Sequence, residues 1–402
     1  MFEAERESCG FSWSEGTPVS RAYDVIVIGA GSVGVPAAWA MARSSLKVLV
    51  LDRLASPCQG SNKTAIGGLR ATHSEPSKIR VCLRSLEIAS TWKATYGDDI
   101  EWSPGGYSFV AYDEREAGIL RGLIETQQAS GLDIDWHDAE HLLETVPALN
   151  PDGLIGGTFS PGDGHCSPLL LGHAMYEQAR SGGAEFRFRE SITGIEVDGG
   201  RVCAVVTDEG RYETPVILNA AGAWADEIGK LVGLDHPIRP DSHEAGITEP
   251  VAPFLGPMVV DIRPSERAAN CYFFQLATGQ IVFALTPQPL VPGFDCRETS
   301  GFLPVVAKRM IQLIPRLAGL RVRRTWRGLY PMSPDGAPLV GWSSEIEGYL
   351  MAIGMCGHGF MIGPGLGELL DRAVRDDLRS EDRMVLDELS PHRRFEGEAA
   401  LK

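Results

Sequence analysis

The sequence predicts an α/β protein that combines a parallel, nucleotide-binding type of sheet with a second, mixed sheet. A strand at Tyr23–Ile28 runs through a glycine turn into an alanine-rich helix, and a further strand follows it. Short strands alternate with turns over residues 184–219, and three more strands are predicted over residues 257–285. Helical periodicity returns at residues 302–314 and 366–378. Alternating β and α elements at the N-terminus predict a parallel sheet there.

The composition is that of a folded protein with a large core. The chain has 402 residues, of which 44% are hydrophobic, with 46 glycines and 26 prolines in no periodic pattern, so disorder, collagen and a long coiled coil are excluded. Its formal net charge is −16, and no local run of lysine and arginine interrupts that acidity. Nucleic acid and anionic membranes are therefore not expected partners, because both are bound by concentrated basic surface.

The eight cysteines are scattered and form no Cys-x-x-Cys pair, so neither a metal site nor a disulfide framework is predicted. A reducing cytoplasm is the expected location. Residues 25–42 carry no charge, but their glycines and Pro36 argue against a spanning helix, as does the acid-rich leader against a signal peptide. No targeting or membrane-spanning segment is expected.

The glycine turn of the first β-α-β unit has the pattern of a dinucleotide site. Gly29 permits the tight turn, Gly31 lets the backbone approach a pyrophosphate, and Gly34 lets helix and strand pack closely. The helix N-terminus offers free N–H groups to that pyrophosphate. Asp52 ends the second strand, where a carboxylate can accept hydrogen bonds from a ribose. The dinucleotide-binding residues predicted here are Gly29, Gly31, Ser32, Val33, Gly34, Asp52 and Arg53.

Four further segments, taken in order, resemble the D-amino acid oxidase superfamily of FAD enzymes. They are Gly60-Ser61-Asn62 through Gly67-Gly68-Leu69-Arg70, the strand and glycine turn of residues 215–224, the Gly-Leu-Tyr-Pro segment at 328–331, and the glycine-rich run of residues 357–368. The similarity is strongest to the branch of sarcosine oxidase, glycine oxidase and the proline dehydrogenase β-subunit, and it covers about residues 20–396. The resemblance implies FAD as the one bound dinucleotide.

The resemblance also implies a discontinuous architecture. A Rossmann-like FAD-binding domain is assembled from separated pieces, and a mixed β-sheet substrate domain is inserted between them. The predicted division is an N-terminal extension at 1–20, an FAD-binding domain at 21–100, 151–232 and 325–402, and a substrate or cap domain at 101–150 and 233–324.

Additional cofactor contacts follow from the same motifs. The bare N–H groups of the run that opens the C-terminal helix suit the negative charge of reduced flavin. Relatives that tether FAD use a cysteine where this chain has Gly328, or a histidine in the loop that reads Asn62-Lys63-Thr64, so non-covalent FAD is expected. The further FAD contacts implied are Ser61, Asn62, Gly67, Gly68, Ala221, Gly222, Trp224, Gly328, Gly357, His358, Gly359, Phe360 and Met361.

Four residues are the candidates for substrate binding and catalysis. Arg70 occupies the place of a carboxylate-binding arginine, and a guanidinium can grip a carboxylate with two hydrogen bonds. Tyr330 and Tyr272 are candidates for substrate contact, and His358 matches a histidine near the flavin. Each has an alternative role: Arg70 as a surface arginine, Tyr330 as an aromatic ring packed on the flavin, and His358 as a structural histidine bonded to backbone. Met361 replaces the lysine that sarcosine oxidases use for the carboxylate.

The lysine pattern bears on the electron acceptor. Family oxidases carry a lysine in the substrate-domain sheet that promotes reaction with oxygen, but no lysine lies between Lys230 and Lys308. This absence predicts a dehydrogenase that passes electrons to an acceptor other than oxygen, unless Arg263, Arg267 or an ordered water substitutes.

The function predicted is an FAD-dependent dehydrogenase of an amino or imino acid such as proline, hydroxyproline or sarcosine. Hydride would pass from the carbon beside the amine to flavin N5. One alternative is a 2-hydroxy acid or alcohol dehydrogenase, in which His73 or His243 activates the hydroxyl. Another is a flavoprotein subunit that works only in a heteromeric dehydrogenase. Homo- or hetero-oligomers are compatible with the sequence, which does not identify substrate or acceptor.

Overall fold

A computed structural model describes residues 21–395, 397 and 401 of the chain, so the predicted N-terminal extension lies outside the described residues. No helix in these residues is long and apolar enough to cross a membrane. The helices, numbered in chain order, are α1 (Gly34–Arg43), α2 (Pro76–Tyr96), α3 (Glu114–Ala129), α4 (Ala139–Thr145), α5 (Pro168–Ser181), α6 (Ala225–Lys230), α7 (Phe302–Leu313), α8 (Gly359–Val374) and α9 (Ser380–Glu388).

The strands fall into four sheets. They are β1 (Arg21–Ala22), β2 (Val25–Ile28), β3 (Val48–Asp52), β4 (Gly68–Leu69), β5 (Tyr107–Ala111), β6 (Asp135–Asp138), β7 (Gly156–Ser160), β8 (Gly164–His165), β9 (Glu185–Phe188), β10 (Ile192–Asp198), β11 (Arg201–Thr207), β12 (Arg211–Glu213), β13 (Ile217–Asn219), β14 (Arg239–Thr248), β15 (Met258–Asp261), β16 (Ala268–Gln275), β17 (Ile281–Pro287), β18 (Val322–Met332), β19 (Leu339–Trp342) and β20 (Tyr349–Ile353). Short 3₁₀ helices lie at Ser61–Thr64, Gly222–Trp224 and Pro315–Gly319.

The first large sheet has six strands in the order β19-β20-β13-β2-β3-β9. All neighbours are parallel except β19 and β20. Its central strand, the Val-Ile-Val-Ile of β2, is buried at all four positions, as expected where helices cover both faces of a parallel sheet. The β-α-β unit predicted from the sequence is therefore present, with β2 and β3 side by side and α1 between them in the chain.

The second large sheet has eight strands in the order β18-β14-β17-β16-β15-β5-β7-β6. It is mixed, because β15 and β5 are parallel while the other neighbours are antiparallel. The three strands predicted over residues 257–285 are its members β15, β16 and β17. A four-stranded sheet (β1-β12-β11-β10) and the β4-β8 pair complete the set. The α/β class and the mixed second sheet predicted from the sequence are confirmed.

The C-terminal helix begins earlier than the sequence periodicity predicted. α8 starts at Gly359 rather than at Leu366, because the glycine-rich run is itself helical. A Cβ added at Gly363 would overlap the carbonyl oxygen of Ser32, and one at Gly367 would lie 2.6 Å from the carbonyl of Pro36. Glycines four residues apart therefore form one face of α8 that packs on the start of α1. Their role is close helix packing as well as approach to a ligand.

Two strands bear on the predicted domain division, which remains a prediction. Residues 156–160, placed by the sequence in the FAD-binding segment 151–232, pair in the eight-stranded sheet as β7. β18 belongs to the same sheet over its whole length, on both sides of the predicted boundary at 325. Strand pairing thus assigns more of the chain to the mixed sheet than the motifs did. Residues 156–160 contain no motif, and the Gly-Leu-Tyr-Pro motif at 328–331, placed in the FAD-binding domain by resemblance, lies within β18.

Candidate functional site

A cavity of about 890 Å³ is bordered by residues of both large sheets. Ile28 and Leu51 of the six-stranded sheet line it, and so do Val260 and Ala284 of the eight-stranded sheet. In α/β folds ligands bind at the carboxyl ends of the parallel strands, and β2 and β3 point their carboxyl ends at this cavity. Its size and position make it the candidate functional site.

The glycine turn after β2 forms one end of the cavity. Gly29 has φ = +104°, which a residue with a side chain adopts only under strain. A Cβ at Gly31 would meet no atom within 4 Å, whereas one at Gly34 would overlap the carbonyl oxygen of Gly29. Gly31 therefore leaves open space toward the cavity, while Gly34 is needed for packing inside the protein. The geometry agrees with the turn predicted at Gly29 and the close packing predicted at Gly34, while the approach of a pyrophosphate to Gly31 stays a prediction.

Asp52 lies at the carboxyl end of β3 and lines the same end of the cavity. Its two carboxylate oxygens accept hydrogen bonds from the backbone N–H groups of Ala30 and Leu54, at 2.7 and 2.8 Å. Each oxygen retains a further lone pair for a ligand hydroxyl. The neighbouring Arg53 places its guanidinium 4.3 Å from the ring centre of Trp224, which also borders the cavity. Asp52 and Arg53, the two contacts predicted here, therefore both border the cavity.

Two helix N-termini point free N–H groups at the cavity. Val33 caps α1 and His358 caps α8, and neither helix has a side chain bonded to its first turn or an acidic residue in it. The imidazole of His358 is buried, and burial together with the charges of Lys78 and Arg70 holds its pKa well below the usual value. His358 is therefore neutral at pH 7. The ends of α1 and α8 are suited to bind negative charge.

A pair of tyrosines forms the opposite end of the cavity. The hydroxyl groups of Tyr272 on β16 and Tyr330 on β18 are 3.1 Å apart. Burial raises the pKa of both phenols, so both keep their protons and can donate hydrogen bonds. The Tyr330 ring packs on Gly357, where a Cβ would overlap the ring. The glycine-rich run and the mixed sheet meet at this contact.

A histidine on β14 lies flat against the Tyr330 ring. The ring centres of His243 and Tyr330 are 3.7 Å apart at an interplanar angle of 23°. Nε2 of His243 is 2.9 Å from a carboxylate oxygen of Asp241. Burial lowers the pKa of His243 despite this carboxylate. Burial would raise the pKa of Asp241, but hydrogen bonds from His243 and from backbone N–H groups hold it below its usual range.

Arg70 lines the cavity and is 6% exposed. Its Nη1 donates to the carbonyl oxygen of Thr72 and lies 3.3 Å from Nδ1 of His73, and its guanidinium is 5.4 Å from the ring centre of Phe109. Among the described residues, no carboxylate lies within ion-pair distance of this cation. A buried guanidinium without a carboxylate partner is costly unless a ligand anion pairs with it.

Behind Arg70, a buried carboxylate shapes the loop that carries it. Asp163 accepts hydrogen bonds from the Ala71 N–H at 2.8 Å and from the Thr72 hydroxyl at 2.6 Å. Burial raises its pKa to about 6, and those hydrogen bonds oppose the shift. The ring centres of His73 and His358 are 5.0 Å apart, but His73 does not border the cavity. His243 does border it, so of the two histidines considered from sequence only His243 can reach a ligand.

The structure brings nearly all of the predicted site residues to one place. Every predicted cofactor contact except Gly34 lines the cavity, and so do the candidate substrate contacts Arg70, Tyr272, Tyr330 and His358. Cavity-lining residues that the sequence analysis did not single out include Tyr107, Phe109, Met258, Val260, Ala284 and the segment 287–290. They lie on strands without motifs, and only the alternation of large apolar residues in β5 and β15 could have indicated them.

The residues present fit a flavin adenine dinucleotide. The open space at Gly31, two uncapped helix N-termini and the Asp52 carboxylate suit its pyrophosphate and ribose, and the cavity continues to the tyrosine pair. No cluster of three or more possible metal ligands occurs within the described part of the chain.

The thiol of Cys356, which borders the cavity, donates to the Gly354 carbonyl at 3.0 Å.

Comparison with known proteins agrees with this geometry. A hydrogen cyanide synthase subunit HcnC from Pseudomonas aeruginosa is 25% identical over 89% of this chain and 94% of its own length. Glycine oxidase from Geobacillus kaustophilus is 26% identical over 88% of this chain and 93% of its own. Human mitochondrial dimethylglycine dehydrogenase is 26% identical over 96% of this chain, which spans only 47% of that protein.

Solved structures show the same fold. L-proline dehydrogenase from P. horikoshii superposes with a TM-score of 0.86 at 28% identity, covering 93% of this chain and 98% of that one. Glycine oxidase from Geobacillus kaustophilus gives 0.82 at 25% identity, covering 94% and 100%. The sequence profile of the DAO family, described as FAD dependent oxidoreductase, matches residues 24–373. The chain therefore belongs to the DAO family of FAD-dependent oxidoreductases.

Proposed function

We propose that this enzyme oxidises the carbon–nitrogen bond of a small amino or imino acid, such as proline, hydroxyproline or sarcosine. The observation that carries the proposal is the buried Arg70 guanidinium, which lines the cavity with no carboxylate within ion-pair distance among the described residues, since Asp163 acts on it only from farther away. The relatives of this protein support the class of substrate, since glycine oxidase, dimethylglycine dehydrogenase and L-proline dehydrogenase are named for amino acids. A carboxylate ligand would neutralise the cation.

When bound, FAD supplies the acceptor for the hydride that leaves the carbon beside the amine. The protein orients the substrate and keeps the site dry. Arg70 binds the carboxylate, and the hydroxyls of Tyr272 and Tyr330 offer hydrogen bonds from protonated phenols. The free N–H groups at the start of α8 stabilise negative charge that develops beside them. Gly357 and the ring of His243 hold Tyr330 from both sides.

The side chain at position 361 cannot pair with a substrate carboxylate, because it is a methionine. Met361 lines the cavity, where sarcosine oxidases are expected to have a lysine. The two arginines that border the cavity are Arg70 and Arg53, and Arg53 lies beside Trp224 and Glu227. Arg70 is therefore the proposed anchor, and Arg53 is assigned to the dinucleotide end. Non-covalent FAD is also proposed, because Gly328 and the loop Asn62-Lys63-Thr64 stand where other family members carry a tethering cysteine or histidine.

We also propose that the electron acceptor is not oxygen. No lysine is among the described residues that border the cavity, and Lys78 is buried with its ammonium 2.7 Å from the Glu75 carboxylate. Arg263 and Arg267, considered as substitutes from the sequence, do not border the cavity either, and Arg263 is paired with Asp261 at 2.9 Å. The described residues thus offer the cavity no ammonium group to promote reaction with oxygen. A cytoplasmic location remains part of the proposal.

The test is anaerobic mixing of the purified holoenzyme with a panel of amino and imino acids while the flavin absorbance is followed. Bleaching by at least one of them supports the proposal. Product analysis separates it from an alcohol dehydrogenase, because oxidation of an amino acid gives ammonia or an amine, whereas oxidation of a hydroxy acid gives only a keto acid. Reoxidation is then compared with air and with an artificial dye. If no amino acid bleaches the flavin, the proposed substrate class is wrong. Fast reoxidation by air would contradict the dehydrogenase assignment.

A second candidate is a catalytic subunit of a heteromeric enzyme. The relative HcnC is named as a subunit, and this chain matches 94% of its length. Turnover of the single chain with a dye would favour an independent enzyme. Flavin reduction that occurs only after a partner polypeptide is added would favour the heteromer.

A further inference from the structure

The segment that follows β17 crosses the mouth of the cavity. We call residues 287–294 the rim segment. Its first half, Pro287 to Leu290, lines the cavity. Both halves also face solvent, since Leu290 is 52% exposed and Phe294 is 49% exposed. The segment thus separates the cavity interior from the surface.

The rim segment is attached on both sides of the mouth. On the mixed-sheet side, the Val291 N–H donates to Asp241 Oδ1 at 2.6 Å, and the Gly293 N–H donates to the Pro240 carbonyl at 2.9 Å. On the other side, the Phe294 ring stacks on Trp224, with ring centres 5.7 Å apart. Trp224 follows β13 of the six-stranded sheet and lines the cavity. The segment therefore bridges the two sheets.

Asp241 has a second partner inside the cavity wall. Its other oxygen, Oδ2, is 2.9 Å from Nε2 of His243, the ring that stacks on Tyr330. An ionised carboxylate only accepts hydrogen bonds, so Nε2 carries the proton and donates it. Asp241 is 2% exposed, so its carboxylate bonds to these protein donors rather than to solvent. One carboxylate therefore holds both the rim segment and the histidine behind Tyr330.

We propose that Asp241 is a positioning residue that couples closure of the rim segment to the placement of His243 and Tyr330. Without the carboxylate, the Val291 N–H and the buried His243 Nε2–H both lose their acceptor, which favours detachment of the segment and rotation of the ring. Detachment opens the cavity beside Trp224 and lets FAD leave. The effect on turnover rests on the proposed function, whereas the effect on FAD retention does not.

The experiment uses the holoenzyme and the variants Asp241→Ala, Asp241→Asn and Phe294→Ala. Asp295→Asn is the matched control, because Asp295 is exposed and its side chain bonds only to Arg297 among the described residues. FAD release is followed by the rise in free-flavin fluorescence after dilution. kcat and KM are measured with any amino acid that bleaches the flavin, and the visible spectrum of bound flavin reports on the site without substrate.

Asp241→Ala is expected to speed FAD release by about 10-fold or more, lower kcat by a similar factor and shift the flavin spectrum. Asp241→Asn keeps one acceptor oxygen and should fall between Ala and wild type. Phe294→Ala should speed release with a smaller change in kcat and spectrum than Asp241→Ala, while Asp295→Asn resembles wild type.

The coupling is overturned if Asp241→Ala matches Asp295→Asn, or if it speeds release without altering either kcat or the spectrum. If Asp241→Ala does not fold, the same comparisons on Asp241→Asn decide. A panel in which no amino acid bleaches the flavin would refute the substrate class, yet the release rates and spectra would still test the coupling.

Discussion

The cavity has two ends that are built in opposite ways. At the dinucleotide end, one contiguous stretch from β2 to β3 supplies the turn, the helix N-terminus and Asp52, and most of what faces the ligand is backbone. At the substrate end, side chains arrive from four distant segments, on the loop after β4 and on β14, β16 and β18. Backbone recognition tolerates little change of shape, while side-chain recognition can be altered residue by residue. Under the proposed function, the first end binds the cofactor and the second end binds the substrate.

The largest effect is expected at the substrate end, from Arg70→Ala. Removing the proposed anchor should lower kcat/KM about 100- to 1000-fold, because a buried ligand carboxylate would lose its partner. Arg70→Lys should recover part of that loss, since it keeps the charge without the forked geometry. Steady-state kinetics and FAD content are the measurements, with exposed Arg324→Ala as the control. A normal kcat/KM in Arg70→Ala would remove Arg70 from the substrate site.

Two glycines test the backbone character of the dinucleotide end. Gly34→Ala should lower the free energy of unfolding by about 1–3 kcal/mol, because its Cβ would overlap the Gly29 carbonyl. Gly31→Ala should leave the unfolding free energy of the apoprotein within about 0.5 kcal/mol of wild type, since its Cβ meets nothing within 4 Å, yet weaken FAD binding. Denaturant unfolding and FAD titration separate the two. Equal FAD affinity in Gly31→Ala and wild type would contradict the placement of the pyrophosphate.

A smaller effect should appear on acidification, at a buried histidine that does not border the cavity. His165 of β8 packs on Phe274, and burial lowers its pKa to about 4, against about 6.5 in an unfolded chain. Between pH 6.5 and 4 the unfolded state binds one more proton than the folded state. The free energy of unfolding therefore decreases as the pH is lowered, by up to about 1.4 kcal/mol per pH unit. His165→Gln should show a shallower slope in unfolding measured from pH 7.5 to 5. An unchanged slope would show that His165 is not held neutral.

The comparison also explains which parts of the site the sequence could predict. Local motifs predicted the glycine turn, the helix after it and the place of Asp52 at the end of β3, because this geometry depends on glycines a few residues apart and on the strand that precedes them. At the other end, Arg70, Tyr272 and Tyr330 were found through family resemblance. Asp241 was missed altogether, since an aspartate two residues before a histidine on a strand has no distinctive pattern. Its role depends on Val291, fifty residues away.

The sequence by itself determined the class of fold and the glycine turn, since both depend on short-range patterns of backbone freedom and hydrophobicity. The type of cofactor came from the resemblance of several motifs to one family. The tertiary structure decided which side chains meet across the cavity. Only the folding of β14, β16 and β18 into one sheet stacks His243 on Tyr330 and pairs Tyr330 with Tyr272. It also decided that the glycines of α8 pack against α1. Contacts between residues far apart in the chain follow from strand order and register, which no local pattern encodes.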